Sequence, residues 1–158
     1  MNAKNIGALA AWIGVSELAG VVGSAFTFSA ISDWYAFLNK PFFSPPNWLF
    51  GPVWTTLYAM MGVAAFLVWR HGWKKPETRH ALTAFGVQLA LNALWSILFF
   101  GARRIDLALI EIVALWIAIV LTIVRFSRVS PKAAALLLPY LAWVSFASAL
   151  NVALWTLN

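Results

Sequence analysis

The sequence predicts an all-α integral membrane protein, a single domain built as a bundle of five transmembrane helices. Of its 158 residues, 63% are hydrophobic and only 10% are charged, whereas soluble domains contain about 45–50% apolar and about 25% charged residues. Five apolar runs each approach the roughly 20 residues that a helix needs to cross the hydrocarbon core. The eleven Lys and Arg residues lie between these runs. A water-soluble fold is therefore excluded.

The five predicted spans occupy most of the chain. They cover residues 6–28, 47–69, 81–100, 107–124 and 133–155, and a long first loop covers residues 29–46. The first run is longer than the roughly 7 to 15 residues of a signal-peptide core, so it is interpreted as a retained helix. Pro41, Pro45 and Pro46 prevent a continuous helix through the first loop. Pro139 predicts a kink in the fifth span.

The positive charges predict an orientation. One side of the membrane receives eight of them: Lys4, Arg70, Lys74, Lys75, Arg79, Arg125, Arg128 and Lys132. The other side receives Lys40, Arg103 and Arg104. The positive-inside rule then predicts a cytoplasmic N-terminus in a bacterial-type cell membrane. In an organelle the labels of the two sides would change. Because the net charge of +6 comes from short loops, no nucleic-acid partner is expected.

Familiar catalytic and metal-binding patterns are missing from the sequence. The chain has no cysteine, which excludes disulfides, thiolate chemistry and cysteine-based metal sites. It has no phosphate-binding glycine loop, no nucleophile elbow and no histidines paired at metal spacing, since His71 and His80 both fall in a loop. No metal and no obligatory cofactor are expected, and no enzyme activity can be derived from these residues.

Polar and aromatic residues recur on one face of two spans. The third span has Gln88, Asn92 and Ser96 at every fourth position, with Trp95 beside them. The fifth span has Tyr140, Trp143, Ala147 and Asn151 at intervals of three or four. Lipid offers no hydrogen-bond partner, so both faces should point into the bundle. Two interpretations stay open: the amides bond to neighbouring helices, or the two faces enclose a ligand.

The ten tryptophans fall into two groups. Six are near predicted span ends or in loops, where indoles commonly anchor a protein at the membrane interface: Trp12, Trp34, Trp48, Trp69, Trp73 and Trp155. Four lie deeper: Trp54, Trp95, Trp116 and Trp143. These four either pack in the core or stack against a flat ligand.

Two acidic residues fall inside predicted spans. Glu17 is mid-span, where insertion of an acid costs about 2.5 to 3.5 kcal/mol, so it needs a partner or a proton. A protonated Glu17 bonded to a neighbouring helix and a role in proton-coupled transport are both open. Glu111 is nearer an interface, close in sequence to Arg103 and Arg104. A solvated ion pair is expected there.

Three groups of motifs carry a family resemblance. The first loop and second span contain WYAFLNKP at 34–41, PPNW at 45–48 and GPVWTTLY at 51–58. The third span contains QLALN at 88–92 and leads into FFGAR at 99–103, and the fifth contains PYLAW at 139–143. This pattern strongly resembles the translocator protein family, also called the tryptophan-rich sensory proteins or peripheral-type benzodiazepine receptors. The resemblance covers most of the chain.

The resemblance implies a five-helix bundle, commonly a homodimer. It also implies that protoporphyrin, haem and isoquinoline or benzodiazepine-type drugs bind between the helices, with the first loop over the mouth of the pocket. Carried over by motif, Tyr35 and Pro45 belong to this lid. Trp54, Asn92, Trp143 and Ala147 belong to the pocket walls. Together with the two polar faces, the expected ligand-binding residues are Tyr35, Pro45, Trp54, Gln88, Asn92, Trp95, Trp143, Phe146, Ala147 and Asn151.

One departure concerns sterols. The resemblance implies cholesterol binding in animal members, whose recognition segment follows the motif's asparagine with a tyrosine and then a basic residue. Here Val152 follows Asn151, and neither a tyrosine nor a basic residue comes after it. High-affinity cholesterol binding is therefore not expected.

Three functions follow from these residues and the resemblance. The first is a tetrapyrrole binder acting as sensor, scavenger or carrier, with Trp54, Trp95 and Trp143 stacking on the macrocycle and Asn92 orienting it. The second is a light-dependent porphyrin-degrading enzyme, for which the resemblance implies Trp54 and Trp143 as the reactive residues. The third is a proton-coupled exporter using Glu17, which is weakened because Glu111 is expected in a solvated ion pair and no second buried acid completes a proton relay.

Overall fold

The computed structural model describes residues 3–158, and within this range it is helical without strands. Five helical segments are long and apolar enough to cross a membrane. The predicted all-α membrane bundle is therefore confirmed. The helices are α1 (Ala3–Asp33), α2 (Asn47–Trp69), α3 (Pro76–Ser96), α4 (Ile105–Ser127), α5 (Pro131–Leu136) and α6 (Leu138–Leu157). Here α5 and α6 together form the fifth span.

Two helices, α1 and α3, differ most from the sequence-based bounds, while the remaining spans differ by three residues or fewer at either end. Helix α1 continues to Asp33, five residues beyond the predicted end, because the sequence up to Asp33 contains no proline. The first loop is correspondingly shorter and includes a single 3₁₀ turn, Tyr35–Phe37. Helix α3 begins at Pro76, before the predicted start at residue 81. Proline is favoured in the first turn of a helix, where its missing N–H leaves no bond unmade.

The fifth span is interrupted two residues before Pro139. Helix α5 ends at Leu136 and α6 begins at Leu138, so Pro139 lies in the first turn of α6. Its ring nitrogen cannot donate to the carbonyl of Ala135, four residues earlier, which ends one helix and lets the next begin. The Leu137 N–H instead bonds to the Ala134 carbonyl over 3.1 Å. The predicted kink is thus a break at Leu137.

A π-helical segment, Ile97–Gly101, follows α3. The Ala102 N–H donates to the Ile97 carbonyl, five residues back, over 2.8 Å. This wider turn places two successive phenylalanines against the first loop: the Tyr35 ring centroid lies 6.3 Å from that of Phe99 and 5.9 Å from that of Phe100. Helical π-turns often occur at functional sites.

Glycines bring α1 close to its neighbours. A Cβ added to Gly62 of α2 would lie 2.5 Å from the Cα of Ile13, and one added to Gly20 of α1 would lie 2.5 Å from the Tyr58 ring. Helix association in membranes depends on such small residues, because no hydrophobic force distinguishes helix from lipid. The core between the helices is filled by large side chains such as Met61, Phe85 and Ile119, none of them exposed.

Candidate functional site

Two adjoining cavities lie between the helices near the first loop. The outer cavity, about 490 Å³, lies between α1 and α2. The inner cavity, about 70 Å³, lies among α1, the first loop, the end of α3 and α6. Four lining residues are common to the two cavities: Thr27, Ile31, Asn47 and Phe50. The cavities are therefore separated by a shared wall and belong to one site.

Side chains of α1 form a wall of the outer cavity. Glu17, Gly20, Ser24 and Thr27 advance by three or four residues and so lie on one helical face. No ligand-binding residue of α1 was predicted from the sequence. The signal was available: the same spacing rule that identified the third-span stripe also selects these four positions.

The α2 wall of the outer cavity is aromatic and hydroxylic. It includes Trp54, Thr55 and Tyr58. The Trp54 and Tyr58 rings stack at 5.5 Å with an interplanar angle of 29°, and Trp54 meets Tyr140 edge-on at 6.2 Å. Because Gly20 has no side chain, the Tyr58 ring can lie directly against α1. Trp54 is thus a lining residue of the outer cavity.

The inner cavity brings together four of the predicted ligand-binding residues: Tyr35, Trp95, Ala147 and Asn151. The Trp95 indole stacks on Phe99 at 5.0 Å and donates its N–H to Asn151 Oδ1 over 3.1 Å. Asn151 Nδ2 in turn donates to the Ile105 carbonyl over 3.1 Å. The Asn151 amide is therefore both a helix-to-helix connector and part of a cavity wall.

Gln88 and Asn92 lie in a buried hydrogen-bond chain that connects three spans. Tyr58 donates its hydroxyl hydrogen to Asn92 Oδ1. Asn92 Nδ2 donates to the Tyr140 hydroxyl over 3.0 Å, and Tyr140 donates to Gln88 Oε1 over 2.9 Å. The interpretation in which amides bond to neighbouring helices describes both residues. Asn92 reaches the outer cavity only through Tyr58.

Trp143 and Phe146 lie behind the shared wall. The Trp143 ring meets Phe50 edge-on at 6.0 Å and Phe146 at 5.5 Å. Its indole N–H is buried and has no hydrogen-bond partner. An unpaired buried donor is costly. The Trp143 N–H is therefore a free hydrogen-bond donor that Phe50 separates from the cavities. Phe146 also meets Phe43 of the first loop at 6.3 Å.

The first loop is fastened to Asn158 at the end of α6 and is braced internally by Lys40. Asn39 and Asn158 exchange backbone and side-chain hydrogen bonds of 2.9 and 3.0 Å. Lys40 Nζ lies 4.8 Å from the centroid of the Tyr35 ring and donates to the carbonyl of Ala36. Pro45 belongs to the same loop but is not among the residues lining either cavity.

Tyr35 is the buried part of this loop. Only 4% of it is exposed, and neither its hydroxyl nor the Ser44 hydroxyl has a hydrogen-bond partner. Burial raises the pKa of the Tyr35 phenol, and the neighbouring Ser44 hydroxyl offsets part of that rise. The phenol is therefore a neutral donor beside the inner cavity.

The ion pair expected at Glu111 is not formed. Arg104 pairs instead with Asp106, with 2.6 Å between Nη2 and Oδ2. Glu111 is 7% exposed, and neither carboxyl oxygen has a partner. Helix rotation explains the error, since Glu111 faces the bundle and Asp106 faces the loop. A second acid therefore does lie inside the spans, in addition to Glu17.

Within residues 3–158 no group of three or more histidine and acidic side chains is placed to hold a metal ion. The chemistry that the two cavities offer is stacking on indole and phenyl faces, with hydrogen bonding from hydroxyl and amide groups.

Comparison with known proteins identifies the family. The model of the TspO/MBR family matches residues 12–156. The chain is 50% identical over 140 residues to the tryptophan-rich protein TspO of Archaeoglobus fulgidus, covering 88% of this chain and 89% of that protein. It is 49% identical over 155 residues to the tryptophan-rich protein TspO of Chlorobaculum tepidum, covering 98% of both chains.

Similarity extends to animal proteins. The human translocator protein is 44% identical over 140 residues, which cover 87% of this chain and 82% of the human protein. The family match and these relatives agree with the motifs at 34–58, 88–103 and 139–143. Five apolar helices with near full-length similarity leave one conclusion: this multi-pass integral membrane protein belongs to the TspO/MBR family.

Proposed function

We propose that the protein binds a tetrapyrrole, protoporphyrin or haem, in the two adjoining cavities and acts as a sensor, scavenger or carrier of it. One observation supports this proposal. An aromatic cavity of about 490 Å³ shares a wall with a second aromatic cavity, which Tyr35 of the first loop also lines. Small-molecule sites commonly occupy about 300 to 1,000 Å³ and combine apolar walls with a few polar groups.

The lining residues suit a flat amphiphile. Trp54 offers an indole face in the outer cavity, and Trp95 with Phe99 offers a stacked pair in the inner one. The hydroxyls of Ser24 and Thr55 lie on opposite walls of the outer cavity. They donate to the carbonyls of Val21 and Gly51 and would turn to donate to the carboxylate edges of the ligand. In this arrangement Asn92 positions Tyr58 and does not touch the ligand itself.

The proposal also covers further ligands, the oligomeric state and the orientation in the membrane. The cavities also suit planar isoquinoline and benzodiazepine-type drugs, and a homodimer is the proposed assembly. The N-terminus is proposed to lie on the cytoplasmic side of a bacterial-type cell membrane, because the loops on that side carry eight basic residues against three.

A protoporphyrin titration in the dark tests the binding proposal. We expect saturable quenching of tryptophan fluorescence in purified protein. The Trp54→Phe variant should show weaker binding, because it loses an indole face in the cavity wall. Trp116→Phe is the matched control, since Trp116 donates to Ser145 over 2.8 Å and does not line either cavity. A titration without saturation would overturn the proposal.

A second candidate function is light-dependent porphyrin degradation. The observation that favours it is a run of redox-active rings leading away from the outer cavity, Trp54 to Tyr58 at 5.5 Å and Trp54 to Tyr140 at 6.2 Å. Under this candidate, Trp54 or Trp143 gives an electron to the photoexcited macrocycle. Porphyrin absorbance should then bleach under light faster than in protein-free detergent, and Trp54→Phe or Trp143→Phe should abolish the difference. Bleaching at the protein-free rate would exclude it.

A further inference from the structure

A groove remote from both cavities lies on the outer surface between α3 and α4. It measures about 360 Å³. Its α3 side consists of His80, Thr83, Ala84 and Val87, and its α4 side of Ala118, Leu121 and Arg125. These positions recur at intervals of three or four on each helix, so the groove runs along the helix axes.

The two ends of the groove differ in chemistry. His80 and Arg125 lie at one end, where α3 begins and α4 finishes. Val87 and Leu121 lie farther along the helices and are 52% and 53% exposed. Seven residues of helix separate His80 from Val87, a distance of about 10 Å. The groove therefore leads from polar side chains at the rim of the bundle to apolar side chains at membrane depth.

Arg125 has no acidic partner. In the part of the chain that the structure describes, the ion pair of Arg104 with Asp106 is the only one. Of the five acidic residues in the sequence, Glu77 alone belongs to this end of the bundle. The same end carries eight basic residues: Lys4, Arg70, Lys74, Lys75, Arg79, Arg125, Arg128 and Lys132. The field at the polar end of the groove is thus strongly positive.

We propose that this groove binds one anionic phospholipid, with the phosphate between Arg125 and His80 and an acyl chain along Ala84, Val87, Ala118 and Leu121. Basic pockets between transmembrane helices are known to bind anionic headgroups. A zwitterionic lipid fits the apolar walls equally but gains less from the unpaired guanidinium. The site shares no lining residue with either cavity, so it is independent of the proposed tetrapyrrole site.

Native mass spectrometry in a neutral detergent provides the test. Purified protein is titrated with phosphatidylglycerol or with phosphatidylcholine of the same acyl chains. We expect one retained phosphatidylglycerol in clear preference to phosphatidylcholine. Arg125→Gln should weaken that retention about fivefold, the effect of one basic residue near an anionic lipid. Arg128→Gln removes the same charge at the same end outside the groove, and it should leave retention unchanged.

A steric variant separates a groove from general charge attraction. Val87→Trp adds bulk to the groove wall without changing charge and should reduce retention. Val113→Trp is its control, because Val113 is 54% exposed and lies outside the groove. Both positions face outward, so folding should persist, and far-UV circular dichroism checks it. Equal losses in Arg125→Gln and Arg128→Gln, no effect of Val87→Trp, or full competition by free glycerol phosphate would each overturn the proposal.

Discussion

Trp95 and Asn151 join α3 to α6 at the inner cavity, with 3.1 Å between the indole nitrogen and Oδ1 of the amide. Asn151 also holds the Ile105 carbonyl at the start of α4. One side chain thus connects three spans, and Asn151 itself is only 1% exposed. Loss of the hydrogen bonds that Asn151 makes should therefore lower the free energy of unfolding as well as the affinity for a ligand of the inner cavity.

Asn151→Leu should lower the free energy of unfolding more than Trp95→Phe does. The first change removes both bonds and leaves the indole N–H without a partner, at about 1 kcal/mol or more, whereas the Ile105 carbonyl keeps its bond within α4. The second leaves only the Asn151 carbonyl oxygen without its donor. Apparent melting temperatures in detergent test this order. A double-mutant cycle should give a coupling of about 1 kcal/mol, and a coupling of zero would show that the bond contributes nothing.

Tyr140→Phe should destabilise the protein more than Tyr58→Phe. The Tyr140 hydroxyl both accepts from Asn92 and donates to Gln88, whereas the Tyr58 hydroxyl makes the single bond to Asn92. The difference should be about 1 kcal/mol, the net value of one additional hydrogen bond. Thermal unfolding of the two variants measures it. Equal losses would contradict the directional chain described above.

Gly62→Ala should destabilise the bundle by about 1 to 3 kcal/mol, the usual cost of overpacking. The new methyl group would lie 2.5 Å from the Cα of Ile13, and a backbone cannot move aside as a flexible side chain can. Gly86→Ala is the matched control, because a Cβ there meets no atom within 4 Å. We expect Gly86→Ala to be neutral or stabilising, since alanine has the higher helix propensity. The apparent melting temperature should fall in Gly62→Ala and should stay unchanged or rise in Gly86→Ala.

Glu111→Leu should raise stability by about 1 kcal/mol or more. Neither oxygen of the carboxyl group has a partner, so its removal breaks no bond and ends the cost of burying an unsatisfied polar group. Glu111→Gln keeps the shape and most of that cost, so it serves as the control. If Glu111→Leu instead destabilised the protein, the carboxyl group would have a partner that the structure does not show.

Glu17→Gln should leave dark binding of protoporphyrin unchanged. The amide has the same shape and still lines the outer cavity, where Glu17 forms part of the α1 wall. The same variant tests the proton-coupled exporter, for which Glu111 is a second acid inside the spans. In proteoliposomes with a pH gradient, uptake that depends on the gradient and is lost in Glu17→Gln would favour the exporter over a simple binder.

Hydropathy and loop charge were sufficient to predict five spans, because lipid requires a continuous apolar helix for each crossing. The aromatic and amide faces of α3 and α6 were also visible in the spacing. The rotation of each helix about its own axis could not be predicted from the sequence. Glu111 and Asp106 are five residues apart, and only the packing of α4 decides which faces the bundle. Similarly, Asn92 meets Tyr58 and Tyr140 from other helices, a contact that no local pattern encodes.

The π turn at Ile97–Gly101 has a consequence for the alignment of related sequences. It accommodates one residue more than an α-helical path of the same length requires, so side chains after Ile97 are out of phase with those before it. A helical wheel drawn with α-helical spacing through residues 76–101 would therefore misplace the side chains that follow Ile97. A deletion of Phe99 or Phe100 would restore regular winding and keep the span intact, yet it would remove one of the two rings that pack against Tyr35 of the first loop.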